Sequence, residues 1–64
     1  MDIGTRIKVR RVERGLTQLE LANLVDVSQP RISRIEREGA QSIDLVRRIA
    51  DALEIQVEDL IRSQ

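Results

Sequence analysis

Apolar residues in this 64-residue chain recur three and four positions apart, with no strand-like alternation anywhere. That spacing predicts helices, each with one aliphatic stripe. A first helix carries Ile3, Ile7 and either Val12 or Leu16 inward, is capped by Asp2, and ends near Gly15, a residue suited to a left-handed exit. Thr17 caps a second helix, with Glu20 three positions on as a capping box requires, and Leu21, Ala22, Leu24 and Val25 supply its inner face. Asp26-Val27 interrupts, and Ser28 caps a third helix in which Ile32 and Ile35 point inward. Pro30 falls in its first turn, where a missing N–H costs nothing. Glu38-Gly39-Ala40-Gln41 breaks the run, and Ser42 caps a fourth helix with Ile43, Val46, Ile49, Ala50 and Leu53 in one stripe. Glu54-Ile55-Gln56 turns the chain into a short last helix marked by Val57, Leu60 and Ile61. The expected fold is all-α, a compact five-helix bundle in which residues 1–64 form one domain.

Composition narrows the chemistry. Chains below about 70–80 residues usually need a staple such as disulfides, a metal, a partner chain or very regular helix packing. The sequence has no Cys, no His and no aromatic residue. Disulfides and zinc sites are therefore excluded, along with thiol nucleophiles and imidazole bases. Glu13, Glu20, Glu36, Asp51, Glu54, Glu58 and Asp59 include no pair placed against a phosphate loop or a nucleophile. The chain is not expected to be an enzyme or to need a cofactor or metal. No apolar run approaches the ~20 residues of a membrane span, and the first residues do not form a signal peptide, so a cytoplasmic protein is expected.

Thr17 to Arg37 is the informative stretch: two short helices, each with its own hydroxyl cap, separated by a tight turn. This is the sequence form of a helix-turn-helix, whose second helix enters the DNA major groove. At about 100° per residue, Ile32 and Ile35 share one side of the third helix, while Gln29, Ser33 and Arg37 share the other, flanked by Pro30 and Arg34. A Gln can bond both the N6 and N7 positions of adenine, and an Arg can bond guanine O6 and N7. Gln29 and Ser33, near the helix start, are the candidate base readers, followed by Arg34. Pro30 offers an apolar surface to a thymine methyl. The first-turn N–H groups of helices two and three, helped by Gln18, Ser28 and Arg31, can hold phosphates. Arg10 and Arg37 are further phosphate candidates.

The run from Ile3 through Ile61 resembles the lambda-repressor-like, Cro/repressor-type helix-turn-helix family, also called the xenobiotic response element family. The resemblance is carried by Arg11-x3-Gly15-Leu16-Thr17-Gln18, Glu20-Leu21-Ala22, Val27-Ser28-Gln29, Ile32-Ser33-Arg34-Ile35-Glu36-Arg37 and Ile49-Ala50-x-Ala52-Leu53. It implies a sequence-specific, mostly dimeric transcriptional regulator that binds double-stranded DNA. Matching positions imply that Gln18 clamps a phosphate, that Gln29 reads a base and braces Gln18, and that Arg11 and Glu36 form a partly buried ion pair. Three positions depart from the family pattern: Asp26 replaces the usual turn glycine, Arg10 an inward Leu, and Pro30 a residue that is often polar.

The expected function is transcriptional regulation, as a repressor, by a homodimer on a palindromic operator, with Val57 and Ile61 as candidate dimer contacts. The rival readings are an antitoxin-like protein-interaction module and a designed helical scaffold with no specific DNA binding; a toxin and RNA polymerase are the protein partners to consider. The net charge of zero conceals an asymmetry: residues 1–37 carry eight basic and five acidic side chains, a balance of +3, and residues 38–64 carry three and six, a balance of −3. The first three helices are thus expected to face phosphates and the last two to face mostly away.

Overall fold

The computed structural model describes residues 2–40 and 42–61, and its helices are α1 (Ile3–Glu13), α2 (Gln18–Val25), α3 (Gln29–Glu38), α4 (Ile43–Leu53) and α5 (Glu58–Ile61). No strand occurs among the described residues, and none of their helices is long and apolar enough to cross a membrane. α3 packs against both α1 and α2, α2 packs on α4, and α5 closes against α1.

Each of the first four helices starts where a side chain satisfies a free backbone donor. Asp2 Oδ1 accepts the Thr5 N–H at 2.8 Å, and this bond holds the Asp2 carboxyl below the usual carboxylate value. Thr17 and Glu20 form the reciprocal capping box, with bonds of 3.0 and 2.8 Å. Ser28 accepts from the Arg31 N–H and Ser42 from the Leu45 N–H.

Three helices leave by the same device. Gly15, Asp26 and Glu54 all have left-handed φ, and the next residue's N–H reaches back five positions: Leu16 to Arg11, Val27 to Ala22, Ile55 to Ala50. Each of those following aliphatics is half-buried against the core, the apolar contact that accompanies this kind of helix end. Asp26 and Glu54 adopt the left-handed conformation at a cost of about 1 kcal/mol each relative to glycine.

The core is aliphatic throughout. Ile7, Leu21, Ile32, Leu45, Ile49, Leu53 and Leu60 are its largest fully buried side chains, each contributing roughly 1.5–3 kcal/mol of transfer free energy. Three expected inward residues are exposed instead: Val12 (59%), Leu24 (60%) and Ile43 (55%). Each lies roughly 100° from the centre of its helix's buried stripe at helical pitch. Leu16, beyond the end of α1, supplies what Val12 does not, and Leu45, absent from the expected stripe, is buried on α4. Val57 precedes α5 rather than belonging to it, and Gln41, expected in the break before α4, lies outside the described residues.

Gly4 sets how closely α1 and α3 approach. A Cβ on it would stand 2.5 Å from the Glu36 carbonyl oxygen and 2.6 Å from that of Ile35. Only a residue without a side chain lets the two backbones meet there.

Candidate nucleic-acid interface

α2 and α3 begin beside each other, so their first residues meet. Gln29 Nε2 donates to Gln18 Oε1 at 2.7 Å, and Gln18 Nε2 donates to Glu36 Oε1 at 3.0 Å. Glu36 in turn accepts from Arg11 Nε at 2.6 Å and Nη2 at 3.2 Å. Arg11 Nη1 donates to the Leu16 carbonyl at 2.6 Å. One continuous hydrogen-bonded chain therefore runs from the end of α1, through the interior side of α3, to the starts of α2 and α3.

Burial changes along this chain. The Glu36 side chain is 4% exposed and that of Arg11 10%, while Gln18 and Gln29 are half-buried at the rim. Taking two charges out of water costs several kcal/mol per ion, which only good geometry and additional hydrogen bonds can offset. Both conditions hold here. No buried side-chain nitrogen or oxygen among the described residues lacks a partner.

The outer face of α3 is built differently. Pro30, Arg31, Arg34 and Arg37 are exposed and Ser33 is half-buried. Arg34 Nε donates to Glu38 Oε1 at 3.1 Å, and Arg37 Nη2 lies 3.6 Å from Glu38 Oε2. Arg37 Nη1 also donates to Ser33 Oγ at 3.3 Å. The Arg31 guanidinium has no partner among the described residues. An open groove of about 680 Å³ is lined by Pro30, Arg31, Arg34, Ile35, Ser42 and Leu45.

The structure thus gathers Gln18, Ser28, Gln29, Pro30, Arg31, Ser33, Arg34 and Arg37 onto α3 and the adjoining helix starts. Arg10 sits apart on α1, half-exposed, with Nη1 3.8 Å from Glu13. Val57 is half-buried and Ile61 is 48% exposed, both at the α5 end that packs against α1.

Three residues that shape this region escaped the sequence reading. Glu38 holds two arginines of α3, and its i,i+4 spacing from Arg34 was the available signal. Gly4, a glycine inside a helix with no capping role, signals close backbone approach. Arg48 Nη1 donates at 2.9 Å to the Val25 carbonyl at the end of α2, and nothing in the spacing announces it.

A helix-turn-helix family pattern matches residues 7–60. The chain is 39% identical over 62 residues to the immunity repressor protein of Bacillus phage phi105, covering 95% of this chain and 43% of that relative, so it spans less than half the relative's length. Among solved structures, SinR, a master regulator for biofilm formation crystallised in complex with DNA, superposes with a TM-score of 0.84 at 35% identity, covering 91% of this chain and 95% of that one. The P22 c2 repressor in complex with a synthetic operator gives a TM-score of 0.88 at 26% identity, covering 100% and 98%.

Proposed function

We infer what the chain does from one premise: it belongs to the helix-turn-helix family, whose pattern spans residues 7–60. On that premise we propose that it binds double-stranded DNA as a transcriptional repressor, with α3 in the major groove. The observation that carries this reading is the division of α3 into two faces. Ile32, Ile35 and Glu36 are buried, while a hydrogen-bonding and cationic surface of Gln29, Ser33, Arg34 and Arg37 faces outward. Gln29 and Ser33 read base edges, with Pro30 beside them and Arg34 following, since side chains near the start of the groove helix reach deepest. Gln18, Ser28, Arg31, Arg37 and Arg10 contact phosphates, aided by the N–H groups of Gln18 and Leu19 at the start of α2 and by that of Gln29 at the start of α3. Pro30 has no N–H, and Ser28 takes that of Arg31. The SinR and P22 c2 complexes with DNA support this reading through their similarity of fold and sequence.

The finer part of the proposal is a two-fold dimer on a palindromic operator, with the two groove helices about 34 Å apart. Ile61 and Val57 are its candidate contacts, since Ile61 leaves an aliphatic surface open on α5.

Selection of bound sites from random duplexes, followed by binding across salt concentrations, tests the assignment. Gln29→Ala and Arg34→Ala should each cost roughly 1–3 kcal/mol on the selected site and relax its preference. Arg10→Ala, which removes only a phosphate contact, should weaken all duplexes more evenly. Unchanged selection by all of these variants would show that α3 is not the reading helix, and a single half-site in the selected sequences would remove the dimer.

A further inference from the structure

The hydrogen-bonded chain from Glu36 to Gln29 has a direction, and that direction bears on the groove. An ionised carboxylate can only accept hydrogen bonds. Glu36 Oε1, 3.0 Å from the Gln18 carboxamide, must therefore face its NH₂ group. The Gln18 carbonyl oxygen is then turned outward, and only a donor can stand 2.7 Å from it. Gln29 must in turn direct its own NH₂ inward. Rotating either carboxamide by half a turn would set two oxygens, or two NH₂ groups, against each other. Because Glu36 is also gripped by two Arg11 nitrogens, at 2.6 and 3.2 Å, its end of the chain cannot turn.

We propose that Glu36, buried and out of reach of DNA, is a positioning residue that fixes the carboxamide orientation of Gln29 and thereby the base that Gln29 selects. The inference rests on the reading of Gln29 as a base contact. With one N–H spent on Gln18, Gln29 offers the groove its carbonyl oxygen and one remaining N–H. That set matches adenine, which presents the N6 donor beside the N7 acceptor. It opposes guanine, whose O6 and N7 both accept and would need the NH₂ group turned outward. An unanchored Gln could rotate to suit either purine. Gln18 transmits the constraint, so specificity at this step is set on the interior side of α3.

Two measurements on the whole chain test this. Without DNA, the side-chain amide NMR signals of Gln18 and Gln29 should be displaced from free-glutamine positions, and Glu36→Gln should return both towards them. On DNA, Gln29→Ala identifies the base pair whose preference disappears. At that pair Glu36→Gln should reduce the adenine-over-guanine preference about tenfold, the size of one good base contact, and leave the other positions unchanged. In a Gln18→Met background the Glu36→Gln substitution should change that preference no further. Should Glu36→Gln prove unfolded, Gln18→Met alone, which spares the ion pair, should produce the same tenfold loss. Uniform weakening on all sites with preference intact, or an undiminished Glu36→Gln effect in the Gln18→Met background, would overturn the proposal. If Gln29→Ala alters no base preference while the amide signals still respond to Glu36→Gln, the hydrogen-bonded chain stands and the DNA reading of Gln29 fails.

Discussion

Glu36 and Glu38 stand two residues apart on α3, carry the same carboxylate, and each hold arginine. Their settings share nothing else. Glu36 is buried against a bidentate Arg11 and also accepts from Gln18, whereas the Glu38 side chain is 53% exposed and divided between Arg34 and Arg37. In the interior, both charges have lost their water, so each depends on the other. At the surface, water and salt ions replace either partner readily, and such pairs contribute about 0–1 kcal/mol. Helical pitch alone separates the two: α3 turns Glu36 towards α1 and Glu38 towards solvent. One acid holds the fold, and the other holds two arginines in a way that phosphate can displace.

The widest test of this contrast is to break the inner pair from one side. Glu36→Ala should cost about 3–5 kcal/mol, because Arg11 is left charged and unpaired. Urea titration should show the double replacement Arg11→Met with Glu36→Leu to be much milder. Equal losses would mean that lost packing, rather than an orphaned charge, is the cause. Gly4→Ala attacks the same side through the backbone and should cost about 1–3 kcal/mol, read as a lowered melting temperature, since its Cβ would meet the Glu36 carbonyl at 2.5 Å. Glu38→Gln should leave stability within about 0.5 kcal/mol. The same variant should tighten binding to duplexes of any sequence at low salt, with the log–log salt slope steeper by about 1, the effect of one net charge. An unchanged slope would place Glu38 away from the DNA.

The smallest effect concerns an exposed carboxylate, that of Asp2. Its folded-state pKa is depressed, first by the hydrogen bond from the Thr5 N–H. A depressed value means that the contribution to stability is complete at neutral pH and is lost as pH falls through the folded value, below 3.8. An NMR titration of the Asp2 carboxyl should show its midpoint under that value, and Asp2→Asn should remove the acid-side dependence while retaining a cap.

Local signals made most of the architecture legible. Asp2, Thr17, Ser28 and Ser42 announce helix starts because a cap is decided within three residues, and Gly15 announces an exit for the same reason. Leu24 and Ile43 misled because residue type says apolar while angular position says solvent. At the site, the resemblance implied the Arg11–Glu36 and Gln18–Gln29 pairings, but the bond joining them, Gln18 to Glu36, depends on how α2 and α3 are rotated against each other. No spacing rule encodes that rotation. It comes from the packing of α2, α3 and α1, including the close approach permitted by Gly4.

The completed chain from Arg11 to Gln29 ties two equilibria together. Ordering a glutamine side chain costs up to about 1.5–2 kcal/mol in rotamer freedom. Gln18 and Gln29 are already ordered in the free protein, so that loss falls on folding and is absent from the association step, where immobilising a flexible side chain would otherwise weaken binding. A substitution that loosens the chain would move the same entropy from one equilibrium to the other. By this entropy alone, a gain in melting temperature would accompany a loss of affinity for the selected site, even when the altered residue lies on the interior side of α3.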